Sequence, residues 1–268
     1  MMKFVKRSIL ILVLTVIVLF GGLILFKWFS NISTNRFDKE IMSDHFKISY
    51  NMSDESCIED VKNYLENNYQ RITTDFKQTF DKPIEVKIYS DLESLHKAIN
   101  VAVKQGLFFF LQPDVTADWV VGTATQGTIR IVSPINSGKS NRTYDDILKV
   151  VVHEFTHITT SKIRDSQCSV LEEGIAEYEA GQTDNENVSL KDKLPNSIEE
   201  MFSWNNINNS DKTYSIGISF VKFIVEKYGY DRFIEIYKKD YQKDGFDDGI
   251  REVYQNWITS ICEDKSNF

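Results

Sequence analysis

A chain of 268 residues with 42% hydrophobic and 26% charged side chains, and only 12 Gly and 4 Pro, has the material for one sizeable core, which excludes a disordered or fibrous protein. The net charge of -8 is concentrated beyond residue 29, because the first 29 residues hold Lys3, Lys6, Arg7 and Lys27 and no acid. So acidic a body excludes a nucleic-acid partner, whose phosphates need positive charge facing them.

Ser8 to Phe26 contains no charged residue. Nineteen residues at about 1.5 Å each cover roughly 28 Å, the hydrocarbon thickness of a bilayer. The sequence therefore predicts one transmembrane helix in an N-terminal anchor over residues 1–29, with the basic flank in the cytoplasm and Trp28 and Phe29 at the far interface. No Ala-x-Ala-like site follows, which favours an uncleaved anchor over a signal peptide. Everything after Lys27 is then extracytoplasmic: a polar tether at 30–44 and a domain at 45–268. Cys57, Cys168 and Cys262 can form one disulfide there with one thiol left over, or stay as free thiols, and the spacing does not choose.

Within the domain, HFKISY (45–50) reads as a strand and residues 54–76 as an amphipathic helix with Asp54 as cap. IEVKIY (84–89) alternates as a strand, and DLESLHKAIN (91–100) has helical spacing behind a capping residue. GLFFFLQP (106–113) is apolar enough for core. WVVGTATQGTIRIVSP (119–134) reads as two strands around a Gly-containing turn. Helices follow at 144–163, 171–180, 196–203, 213–228, 231–242 and 247–260, while 181–212 is polar, Asn-rich loop that could rim a cleft. Strands first and helices afterwards predict an α+β fold, with a small N-terminal mixed or antiparallel sheet and then a mainly helical half.

Residues 148–163, LKVVVHEFTHITTSKI, place two of the chain's four histidines four residues apart. On a helix His153 and His157 share a face, whereas Ile147, Val151, Phe155 and Ile158 form the core-facing side. Two imidazoles at that spacing suit Zn²⁺, which in catalytic sites keeps three protein ligands and an open position. Glu154 lies beside the first histidine, where a carboxylate can act as general base. A third ligand is available in VLEEGIAEYEAG (170–181), whose Gly174 and Ala176 would let this helix approach the zinc helix closely. Glu173 is the candidate and Glu172 its competitor. Glu177, one turn on, could accept a hydrogen bond from the far nitrogen of a ligand histidine. Glu172 and Glu179 otherwise read as a solvated helix face, and Cys168 as a thiol too near Glu173 to ignore.

His153-Glu154-x-x-His157 followed by Glu173-Gly174-x-Ala176 resembles the gluzincin zinc metallopeptidases, the clan of thermolysin and the M1 aminopeptidases, and above all its small stand-alone domains. The likeness extends to YSIGISFVKFIVEKYGYDRF (214–233) and covers about 119–240. It implies one zinc per chain on His153, His157 and Glu173, Glu154 as base, and Tyr214 as the hydrogen-bond donor to the tetrahedral intermediate, with Tyr178 as the rival tyrosine. The Gly-x-Met-Glu-Asn element that holds a free amino terminus in the aminopeptidases is missing, and no acid stands in VGTATQGTIRIVSP, its expected place. The implied function is a membrane-anchored, extracytoplasmic endopeptidase acting on peptide or protein substrates. The alternatives are a catalytically silent zinc- or peptide-binding domain and a zinc-dependent hydrolase of a non-peptide substrate.

Overall fold

The structure is a computed structural model that describes residues 36–103, 114–164, 168–182, 190–204 and 210–263, together with 13–16, 18–19, 21–22 and 25. The described residues between 13 and 25 are helical and mostly exposed. The rest of the anchor expected at 1–29 lies outside the described residues, as does the apolar run at 106–113, and among the described residues no helix is long and apolar enough to cross a membrane.

The tether ends earlier than its polarity suggests. Lys39–Met42 forms strand β1, antiparallel to β2 (Phe46–Tyr50), with Ile41 opposite Ile48. Its other three residues are exposed, so this edge strand shows no alternation to read. Helix α1 (Glu55–Asp75) buries Ile58, Val61, Leu65, Tyr69 and Ile72, a spacing of three and four that keeps one stripe on the sheet. Asp54 holds the N-cap position, but its carboxylate is turned to the Ser90 hydroxyl, 2.7 Å away, instead of the helix amides. Strand β3 (Ile84–Tyr89) follows in parallel beside β2, as a helical crossover requires.

Helix α2 (Leu92–Val103) is capped by Asp91, whose carboxylate accepts from the Ser94 amide at 2.7 Å. The hairpin of β4 (Gly122–Thr125) and β5 (Thr128–Val132) turns at Gln126 and Gly127, both with positive φ (54° and 70°), the geometry of a two-residue hairpin turn. The sheet runs β1-β2-β3-β5-β4, with a parallel centre and an antiparallel edge at each side. This is the mixed form of the expected α+β sheet. Ile48, Val86, Ile88, Ile129 and Ile131 are fully buried in it, each contributing about 1.5–3 kcal/mol over exposure.

The helical half opens with α3 (Tyr144–Ser161), whose Thr143 and Asp146 form a reciprocal capping box. It lies over β4 and β5, and Phe155 packs edge-on to Phe46 with ring centroids 5.3 Å apart. Helix α4 (Ser169–Ala180) ends at Gly181 with φ 62°. Short α5 (Ile198–Ser203) leads to α6 (Ser210–Tyr237), which breaks at Gly229 (φ 81°, ψ 170°) where the sequence divides its two helical segments. The second segment stops at Tyr237 instead of running to 242, because Asp240 starts a separate short helix, α7 (Tyr241–Asp244). Helix α8 (Asp248–Glu263) closes the described chain. Cys57, Cys168 and Cys262 form none of the possible disulfides.

Candidate metal centre

Helix α3 brings both histidines to the side away from Phe155, and α4 crosses it to deliver Glu173. The Nε2 atoms of His153 and His157 lie 3.0 Å apart. Glu173 Oε2 is 3.2 Å from the first and 3.7 Å from the second. Among the described residues, this is the group of metal-ligating side chains whose donor atoms converge. A tetrahedral ion with bonds of about 2.0–2.2 Å separates its ligand atoms by about 3.4 Å. Two imidazole nitrogens and a carboxylate at these spacings therefore fit zinc in number, chemistry and distance.

Electrostatics bind the three together. Burial alone would lower the His153 pKa, but the hydrogen bond and charge of Glu173 outweigh it and lift the imidazole to about 9. Burial likewise favours the neutral form of Glu173, yet hydrogen bonds from His153 and His157 hold its carboxyl well below the usual range. Glu154 behaves differently. It is buried and lacks a direct histidine bond, so desolvation prevails and its pKa rises. The Ala124 amide on β4 donates to it. Gly122 makes this approach possible, since a Cβ there would stand 2.6 Å from Val150 Cγ1 and 3.0 Å from Glu154 Oε1.

Tyr214 enters from the start of α6. Burial, the charges of Glu173, Glu154 and Glu177, and a hydrogen bond to Glu173 all push its pKa up, so its hydroxyl stays a donor. The rival, Tyr178, faces Glu226, Glu179, Arg71 and Asp75 instead. Glu172 stands outside the converging group, and its charge acts on Cys168. Cys168 is also outside it, a buried thiol pushed up to about 12 by desolvation.

Three features escape the sequence. Gly174 was expected to ease contact with the zinc helix, but it faces α6, where a Cβ would meet Gly217 O at 2.4 Å. The crossing of Gly174 with Gly217 seats Tyr214 against Glu173. Glu179 is not on a solvated face: it is 4% exposed, paired with Arg71 of α1 and accepting from the Tyr230 hydroxyl at 2.6 Å. Finally, Glu177 Oε1 lies 3.8 Å from His153 Nδ1, whereas Gln182 Oε1 lies only 3.0 Å away. Gly181, a helix-ending residue visible in the sequence, was the one signal that the chain turns back here.

The model of the Peptidase MA superfamily matches residues 66–268, a span containing both histidines, Glu154, Glu173 and Tyr214. No curated protein matches the sequence.

Proposed function

The chain belongs to the Peptidase MA superfamily, and we propose that within it this protein is a membrane-anchored zinc endopeptidase acting outside the cytoplasm. The observation that carries the reading is the convergence of His153 Nε2, His157 Nε2 and Glu173 Oε2 beside the buried carboxylate of Glu154. These three residues would hold one zinc per chain. Bound there, zinc supplies Lewis acidity, making a water nucleophilic near neutral pH and polarising a carbonyl.

Glu154 takes the proton of the attacking water on its carboxylate and passes it to the leaving amine nitrogen. Its raised pKa suits a group that must hold a proton between these transfers. Tyr214 offers its neutral hydroxyl to the oxyanion that develops on the carbonyl oxygen, an interaction worth about 3 kcal/mol where such donors have been removed.

Substrate alignment falls to β4. The Val121 carbonyl accepts from Val132 on β5 at 2.9 Å, so by strand alternation the backbone groups of Gly122 and Ala124 point to the sheet edge, where the Ala124 amide already donates to Glu154. An extended peptide can pair with that edge, which favours a peptide over a non-peptide substrate. The polar stretch at 181–212 that would decide whether the edge is covered lies partly outside the described residues. Endopeptidase action follows from VGTATQGTIRIVSP, which offers no carboxylate for a free amino terminus. The uncharged run Ser8–Phe26 supports the anchor, and protease added to intact cells should cleave the domain but leave the anchor protected.

The test is metal content and hydrolysis by the full chain purified in detergent without added metal. Native protein should carry near one zinc, Glu173→Ala none. Glu154→Gln should keep its zinc and cleave an unfolded protein at least about 100-fold more slowly. Zinc-free native protein, or full activity in Glu154→Gln, would overturn the reading.

A further inference from the structure

Resting on that zinc reading, we propose that Gln182 is the positioning residue for His153, fixing from the end of α4 the ring whose other nitrogen faces the metal site. Gln182 Oε1 lies 3.0 Å from His153 Nδ1, within hydrogen-bond reach, and Glu177 Oε1 at 3.8 Å is beyond it. A carbonyl oxygen only accepts, so Nδ1 carries a proton toward it, and a metal that replaced the Nε2 proton shared with Glu173 would find its lone pair on Nε2. The backbone holds the amide in place. Gly181 turns with φ 62°, its amide bonds to the Tyr178 carbonyl at 3.2 Å, and the Gln182 amide bonds to the Glu177 carbonyl at 3.0 Å. This is a helix-ending motif that throws the next side chain back across the last turn. Helix α4 thus grips His153 from both sides, with Glu173 on Nε2 and Gln182 on Nδ1.

The choice of an amide has a consequence. Glu173, Glu154 and Glu177 already crowd the site with carboxylates, and a neutral acceptor orients the ring without adding another negative charge. Outer partners of ligand histidines typically change metal affinity 10–100-fold when removed, so Gln182 should act on zinc binding before it acts on chemistry.

The experiment uses the full chain in detergent, labelled with ¹⁵N-histidine. Four histidines keep the spectrum assignable. In the zinc-loaded native protein the His153 Nδ1–H should exchange slowly, and in Gln182→Leu it should exchange fast. Zinc affinity, read by competition with a chromophoric chelator, should fall 10–100-fold in Gln182→Leu and return to within a few-fold in Gln182→Glu, which restores an acceptor. Native-like affinity and exchange in a folded Gln182→Leu would overturn the proposal while leaving the zinc reading intact. If Glu177→Gln instead produced the loss, the role would belong to Glu177. Native protein that takes up no zinc would sink the zinc reading and this role together, a result visible before any variant is made.

Discussion

Glu173 and Glu179 stand six residues apart on α4, both buried, and the protein uses them for opposite ends. Glu173 faces two histidines that hold its carboxyl ionised far below the ordinary range. Glu179 faces Arg71 and the Tyr230 hydroxyl, yet desolvation still raises its pKa. One helix therefore carries a carboxylate held as an anion beside two histidines and another that ties α4 to α1 and the second segment of α6. The difference comes entirely from partners on other elements. The candidate metal site sits where histidines four residues apart aim at one point, and the structural tie where a guanidinium and a phenol reach in from helices distant in sequence.

The sharpest way to break this division is Glu173→Gln. Losing the ligand should remove zinc and with it the several kcal/mol of activation the metal provides, so hydrolysis should fall at least about 10³-fold. Zinc at one hundred times its native Kd should stabilise native protein and Glu179→Gln by about 2.7 kcal/mol and leave Glu173→Gln unmoved. Retained zinc in Glu173→Gln would erase the distinction between the two acids.

Glu179→Ala should do the reverse. It takes the acceptor from the Tyr230 hydroxyl and the buried carboxylate from Arg71, whose guanidinium stays partly in solvent, and leaving a buried hydrogen-bond partner unsatisfied costs about 1–3 kcal/mol. Urea unfolding should report that loss while zinc stoichiometry in the folded protein stays at one. A cost below about 1 kcal/mol would return Glu179 to the solvated-face class.

The same contrast explains what could be read from the sequence. His153, Glu154, His157 and Glu173 were legible because helical spacing alone puts them together or within one neighbouring helix. The strands at 45–50 and 84–89, the hairpin at 119–134 and the break at Gly229 were legible because alternation and glycine act locally. Glu179 was not, because Arg71 lies 108 positions away and nothing near α4 announces it. Strand β1 was hidden by its exposure, and Gln182 by a direction that only the αL turn at Gly181 sets. Gly174 marks a close approach in the sequence, but its neighbour is α6 and not α3, since a glycine says that something is near and not what.

That neighbour supplies a smaller test. In Gly217→Ala the new Cβ would stand 2.7 Å from the Val170 carbonyl oxygen, and backbone has to shift. Overpacking of this kind costs about 1–3 kcal/mol. Because Gly217 follows Tyr214 by one helical turn and presses on Gly174 beside Glu173, the shift should also lower kcat, compared at saturating zinc. An unchanged kcat beside the expected loss of stability would separate Tyr214 from the chemistry.

The smallest effect is a trend with pH. Burial raises the Glu179 pKa above its unfolded value, even against Tyr230 and Arg71, so the folded state binds this proton more tightly than the unfolded chain does. Its contribution to stability is then absent at high pH, grows as pH falls through the raised folded pKa, and is complete below the ordinary glutamate range. Groups other than Glu179 titrate alike in Glu179→Gln and cancel in the difference. Urea midpoints at pH 7 and pH 5 should therefore show native protein gaining on Glu179→Gln at the lower pH. A difference that shrinks instead would mean that Arg71 holds Glu179 ionised as the histidines hold Glu173, and the two acids of α4 would differ in partner but not in kind.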